Sequence, residues 1–170
     1  MKFIVAVIMV IGIGTAVFAA QQKKAIQVAV VSPTPVASIA PAVHYMAHFA
    51  IFTNSTFRDF NNERYHQQST DVYLKADNPN EVHVNAHGIT WQKFFDTLPM
   101  KLTKSCLTTG TGQEFCTSEN SELTFFINGE QNQNVLDEII SPNSKLLVSF
   151  GIKDKSVESE LEKLEEISSK

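Results

Sequence analysis

Five histidines and two cysteines are the side chains of this 170-residue chain whose types and spacing could do chemistry. All five histidines, His44, His48, His66, His83 and His87, fall between positions 44 and 87. Two pairs, His44/His48 and His83/His87, have H-x-x-x-H spacing. On a helix that spacing puts both rings on one face about 6 Å apart, able to share one ion. On a strand the same step spans about 13 Å, so neither pair alone chelates. A site then needs partners across strands, for example His48 beside His83, with His66, Asp71 or Glu81 as third ligand. Neutral imidazoles so placed suit Cu²⁺ or Zn²⁺. The same positions also read as ordinary polar residues of a solvated face.

Cys106 and Cys116 flank Thr109-Gly110-Thr111-Gly112, the expected tip of a hairpin over 102–117. Glycine supplies the positive φ that tight hairpin turns need. Across such a ladder the two thiols can face each other, and an oxidising compartment would join them. A disulfide closing about 11 residues contributes roughly 2–3 kcal/mol. A redox-active dithiol prefers C-x-x-C at a helix start, which nine intervening residues do not provide. No hydrolase, metalloprotease, kinase or dinucleotide fingerprint is present, and the lone G-x-G of the hairpin tip is no phosphate loop. Asp59, Glu63, Asp71 and Asp77 are scattered carboxylates without a visible point of convergence. The expected role is therefore non-catalytic, with no cofactor beyond a copper or zinc ion on the histidines.

The elements that must position these residues follow from periodicity. Residues 44–54 are apolar on both alternating faces, as a central strand requires. Residues 70–76 form a second strand, ended by the turn residues Asp77-Asn78-Pro79-Asn80. In 81–88, Val82, Val84 and Ala86 alternate with His83, Asn85 and His87, the pattern of a half-exposed strand. Thr90 can cap a helix whose Trp91, Phe94, Phe95 and Leu98 make one apolar stripe, stopped by Pro99. This helix is expected to cover one face of the sheet. Residues 122–132 run as a strand into Asn128-Gly129, and Leu146–Phe150 closes the series.

The ends differ from the body. Residues 3–20 carry no charge and reach roughly 27 Å as a helix. They read as a membrane anchor or as a signal peptide cut before Ala20. Residues 21–43, with Pro33, Pro35 and Pro41, read as a spacer. The body spans 44–152, and 153–170 is an acidic amphipathic helix with Val157, Leu161, Leu164 and Ile167 on one stripe. It docks on its own body, or on another protein or a second copy. The net charge of −4 lies mostly in the last 17 residues, 154–170: their six acids and three bases leave 11 bases and 12 acids elsewhere. So few cations argue against nucleic-acid binding by phosphate neutralisation. The sequon Asn54-Ser55-Thr56 offers Asn54 for glycosylation and, with the cysteine pair, favours an exported body.

The order of elements resembles that of β-grasp domains. The residues that carry the likeness are Gly88-Ile89-Thr90-Trp91, Phe94 to Leu98, Ile127-Asn128-Gly129, and Ile139 through Gly151. The body is most similar to extracytoplasmic modules of the transcobalamin-tail or SLBB sort. It also resembles uncharacterised membrane-anchored prokaryotic proteins of archaeal type. The resemblance implies an α+β fold: a β-grasp-like mixed sheet with one covering helix, between an N-terminal membrane helix and a C-terminal amphipathic helix. It implies a membrane-tethered binding or accessory module. Ubiquitin-like sulfur carriers end in Gly-Gly, whereas Gly151 is followed by Ile152 and a charged tail, which argues against a carrier role.

Overall fold

A computed structural model describes residues 42–169, within the compact unit Ala40–Lys170. The expected anchor or signal and nearly all of the spacer lie outside these residues. Among the described residues no helix is long and apolar enough to cross a membrane.

The domain is α+β, built on a mixed sheet. Its centre is β1 (Tyr45–Thr53), which lies parallel to the last strand, β10 (Lys145–Ile152). The pairing runs from His48 opposite Lys145 to Thr53 opposite Phe150. Both strands are dominated by apolar and aromatic residues, which suit a pleated surface buried on its two sides. On its other edge β1 pairs antiparallel with β4 (Glu81–Val84) along its first half, and with β2 (Thr56–Phe57) beyond. Asn54 and Ser55 make the two-residue turn into β2, both with positive φ, which matches the right-handed twist of a hairpin. β3 (Val72–Leu74) pairs with β4. Beyond β10 come β8 (Ser121–Ile127) and β9 (Glu130–Gln131), joined by Asn128-Gly129, again both at positive φ. The sheet order is β3-β4-β1-β10-β8-β9.

Alternation along β1 sends Ala47, Phe49 and Ile51 into one core, and Ala50 and Phe52 into another. The larger core packs Phe49 and Ile51 with Leu146, Val148 and Phe125 under Trp91, Phe94 and Phe95 of helix α1 (Trp91–Phe95). Thr90 caps this helix, its Oγ1 accepting from the Lys93 amide at 3.1 Å. The helix is shorter than the apolar stripe suggests. The amides of Thr97 and Leu98 bond to the carbonyls of Phe94 and Phe95, three residues back, so the last turn tightens and still delivers Leu98 to the core. Five residues cannot roof a sheet of this size. The cover is completed by Phe60, Val135, Leu136 and a separate three-stranded sheet of β5 (Lys101–Leu102), β6 (Cys106–Thr108) and β7 (Glu114–Cys116).

The opposite face is covered by helix α2 (Glu158–Ser168). Its Leu164 joins Ala50, Phe52 and Leu147, with Val157 and Leu161 alongside, so the stripe of the tail lies on its own sheet. Lys155 crosses β10 at Gly151 to reach the buried Glu160. A Cβ at position 151 would sit 2.6 Å from Lys155 Cδ, so a larger residue there would make the Lys155 side chain shift its course.

Phe49 is wholly buried, edge-on to Phe60 and Phe94. Replacing it by Ala should lower unfolding stability by about 3–5 kcal/mol in urea titrations. Ile152→Ala, at an exposed position, should change it by less than about 0.5 kcal/mol.

Candidate functional site

The face of the sheet bearing α2 also carries His44, Met46 and His48, which alternate along the start of β1 with the core residues. Register sets Met46 opposite His83 and His48 opposite Glu81. The Phe49 amide donates to Asn80 O at 3.0 Å, which makes His48/Glu81 a non-hydrogen-bonded pair, the kind with the closest side chains. Both strand ends are pinned here. The Asn80 side-chain Nδ2 donates to Phe49 O at 3.0 Å, and the Asn143 and His48 backbone amides donate to Met46 O and Ser144 O. The Asp77–Asn80 turn and the Ser141–Ser144 turn thus fix where Glu81 and His48 stand.

Glu81 lies between two imidazoles. Its Oε1 is 2.9 Å from His83 Nε2 and its Oε2 is 3.5 Å from His48 Nε2. His83 is 5% exposed although its strand pattern suggests a half-exposed position. The reason is lateral: Tyr73, its cross-strand neighbour on β3, stacks on one side at 5.2 Å, and the His44 ring lies at 5.9 Å. Neither ring nitrogen of His83 makes a hydrogen bond of good geometry among the described residues. Burial lowers the pKa of both His83 and His48. For His48, Lys145 adds to the lowering and Glu81 opposes it; for His83, Lys75 and His44 add to it, while Glu81 and Asp77 oppose it.

His66 and His87 stand apart, while His44 borders the cluster against the His83 ring. His66 Nε2 lies 2.9 Å from Phe60 O, and Phe60 belongs to the opposite face. His87 follows β4 in an exposed turn, not on the strand itself. His44 is exposed, its Nδ1 2.8 Å from Asn85 Oδ1. Of the three carboxylate or imidazole partners expected for a metal, Glu81 joins His48 and His83, whereas Asp71 pairs with Lys93. Among the described residues, no three His, Cys, Asp or Glu side chains are already arranged to hold an ion. Met46 and Tyr73 complete the cluster. The alternation of Met46 with His44 and His48 places it on this face, but nothing in the linear pattern announces Tyr73.

A second feature lies on the α1 side. A cavity of about 220 Å³ opens between the end of β1, the segment after β2 and the β6–β7 hairpin. Ile51, Phe57, Phe60 and Leu107 line its apolar part, and Arg58, Asp59, Tyr65, Thr109 and Thr111 its polar rim. Arg58 lies over the Phe115 ring at 4.8 Å and its Nε donates to Thr53 Oγ1 at 2.6 Å. Asp59 accepts from the Asn61 amide at 2.9 Å, so it is committed to its own loop. The hairpin tip is seated tightly: at Gly110 a Cβ would collide with Pro99 O and the Arg64 guanidinium.

Cys106 and Cys116 form a disulfide directly across this hairpin, with Cα atoms 4.0 Å apart. The Thr117 amide donates to Ser105 O at 2.8 Å, so the pair occupies a narrow, non-hydrogen-bonded position of the ladder. Asn54 is exposed in the β1–β2 turn. Searches against protein families, curated proteins and solved structures give no match to this chain.

Two outcomes follow. Removing the disulfide with Cys106→Ser/Cys116→Ser should cost roughly 2–3 kcal/mol in urea titrations, with the largest loss of amide protection at Thr109–Gly112. In metal-free buffer the unfolded chain binds more protons than the folded one once pH falls through about 6.5, because folded His48 and His83 stay neutral. Stability is therefore complete above that pH and falls below it. The drop in melting temperature between about pH 7.5 and pH 5.5 should be smaller in His48→Gln/His83→Gln; an equal drop would assign the pH dependence to other groups.

Proposed function

We propose that this chain is a non-catalytic binding or accessory module, on a β-grasp-like domain, tethered at the outer face of a membrane. Strand order supports the scaffold. Parallel β1 and β10 sit at the centre, flanked by antiparallel β4 and β8, and α1 follows the first antiparallel pair. The β5–β7 sheet is then an elaboration between helix and third core strand. The disulfide supports an oxidising, extracytoplasmic location. Exposed Asn54 is in reach of glycosylation there, and the uncharged run before residue 21 supplies the anchor or export signal.

The cavity at the hairpin carries the binding reading. An apolar concavity with a few polar groups at its rim is the common form of a ligand seat. Its size suits one or two apolar side chains or a small amphipathic molecule, and the Arg58 guanidinium at the rim favours an anionic end. Its polar groups are structurally engaged: Arg58 with Thr53, Asp59 with Asn61, and Thr109 Oγ1 with Thr111 at 2.9 Å. These support recognition rather than bond-breaking.

The test is a screen of small carboxylates and short apolar peptides by amide chemical shifts of the full chain. Binders should perturb Phe57, Tyr65 and Thr109–Thr111; Leu107→Trp should abolish binding by filling the cavity, and Arg58→Ala should weaken it about 10-fold. Undiminished binding to a folded Leu107→Trp chain would overturn the cavity as the seat. Protease added outside intact cells should cut the body, and protection there would overturn the outer-face placement.

A further inference from the structure

We propose that the sheet face formed by Met46, His48, Glu81 and His83 is a binding site for one copper ion. His48 and His83 supply nitrogen, Glu81 oxygen and Met46 its thioether sulfur. The site lies on the opposite face of the sheet from the cavity, so neither reading depends on the other.

The first observation is His83 itself. A buried imidazole without a well-formed hydrogen bond is costly, because its polar atoms are removed from water and His83 receives in return only the poorly aligned approach of Glu81 to Nε2, with nothing on Nδ1. Its neighbours Tyr73 and His44 offer ring faces, which do not satisfy ring nitrogens. A metal ion at Nε2 would repay that cost, and a neutral ring is the form that binds one.

The second observation is spacing. Cis donors about 2.0 Å from one ion stand roughly 2.8 Å apart in the square-planar geometry of Cu²⁺ and roughly 3.3 Å apart in a tetrahedral one. The nitrogen–oxygen separations at Glu81 are 2.9 and 3.5 Å, the first close to the Cu²⁺ value and the second longer. The carboxylate now divides its oxygens between the two rings, so a small rotation of Glu81 and His48 would turn them onto a shared ion. The His48 side chain keeps 13% of its surface exposed.

The third observation selects the metal. Met46 stands directly opposite His83 in a close pair on this face, so its register offers a thioether as a further donor. A thioether is a soft ligand that favours copper over zinc or magnesium, and Cu²⁺ leads the divalent series on imidazole. The nearby Lys145 ammonium, which would repel an ion, is drawn toward Glu165 of α2.

The experiment titrates the full chain, stripped of metal by chelation, with Cu²⁺ and in parallel with Zn²⁺. Calorimetry and electron paramagnetic resonance supply the readouts. The expected result is one Cu²⁺ per chain, bound more tightly than Zn²⁺, with hyperfine structure from two imidazole nitrogens. His48→Gln and His83→Gln should each weaken it about 10-fold or more, while His66→Gln and His87→Gln leave it unchanged. Met46→Leu should weaken binding of ascorbate-reduced copper more than of Cu²⁺. If His83→Gln does not fold, His48→Gln and Glu81→Gln carry the comparison. No uptake at about 10 μM copper, uptake insensitive to His48→Gln and Glu81→Gln, or equal affinity for zinc would overturn the proposal.

Discussion

The parallel pairing of β1 with β10 is the constraint on which the rest of this domain depends. It joins the first strand to the last, and places Phe49, Ile51, Leu146 and Val148 on one side of the sheet and Ala50, Phe52 and Leu147 on the other. A strand pair buried on both faces demands two covers. One is the composite of α1, Phe60 and the β5–β7 sheet; the other is α2. Each candidate site lies where a cover ends. The cavity sits at the seam between the β6–β7 hairpin and the segment after β2. The histidine cluster sits beyond α2, where β1 and β4 continue past the helix.

The two sites therefore differ in how they are held. The histidine cluster rests on paired backbone, with its register locked by Asn80 on one side and by Asn143 and Ser144 on the other. Side chains on such a platform are placed by the ladder. The cavity depends on a hairpin tip whose seat is Gly110 against Pro99 and whose base is stapled by Cys106–Cys116. Its shape follows the position of a loop, and the disulfide limits how far that loop can stray.

Much of this was legible in the residues. Apolar patterning located β1, β4, β8 and β10, turn chemistry located Asp77–Asn80 and Asn128-Gly129, and the flanked glycines located a hairpin with its cysteines opposed. What escaped was lateral. Periodicity says which face a residue takes but not which strand stands beside it. The burial of His83 by Tyr73, and the separation of β5–β7 into a sheet of their own, were therefore hidden. So was the length of α1: Leu98 reaches the core through a tightened turn, which keeps the stripe while ending the helix. Of the histidines, His48 and His83 meet at Glu81 because β1 and β4 are neighbours, whereas His66 and His87 are carried elsewhere by loops.

The union of first strand and last also has a consequence in time. Contacts between residues about a hundred positions apart form only when the intervening chain exists, and closing so long a loop makes folding slow. Until Leu146–Phe150 has been made, neither core can close, since each takes residues from β10. The disulfide does not shorten this wait, because it ties a hairpin of purely local contacts. During synthesis the body is thus a chain still open enough to be threaded. An architecture whose closing strand arrives last keeps both cores open until synthesis of the body is almost complete.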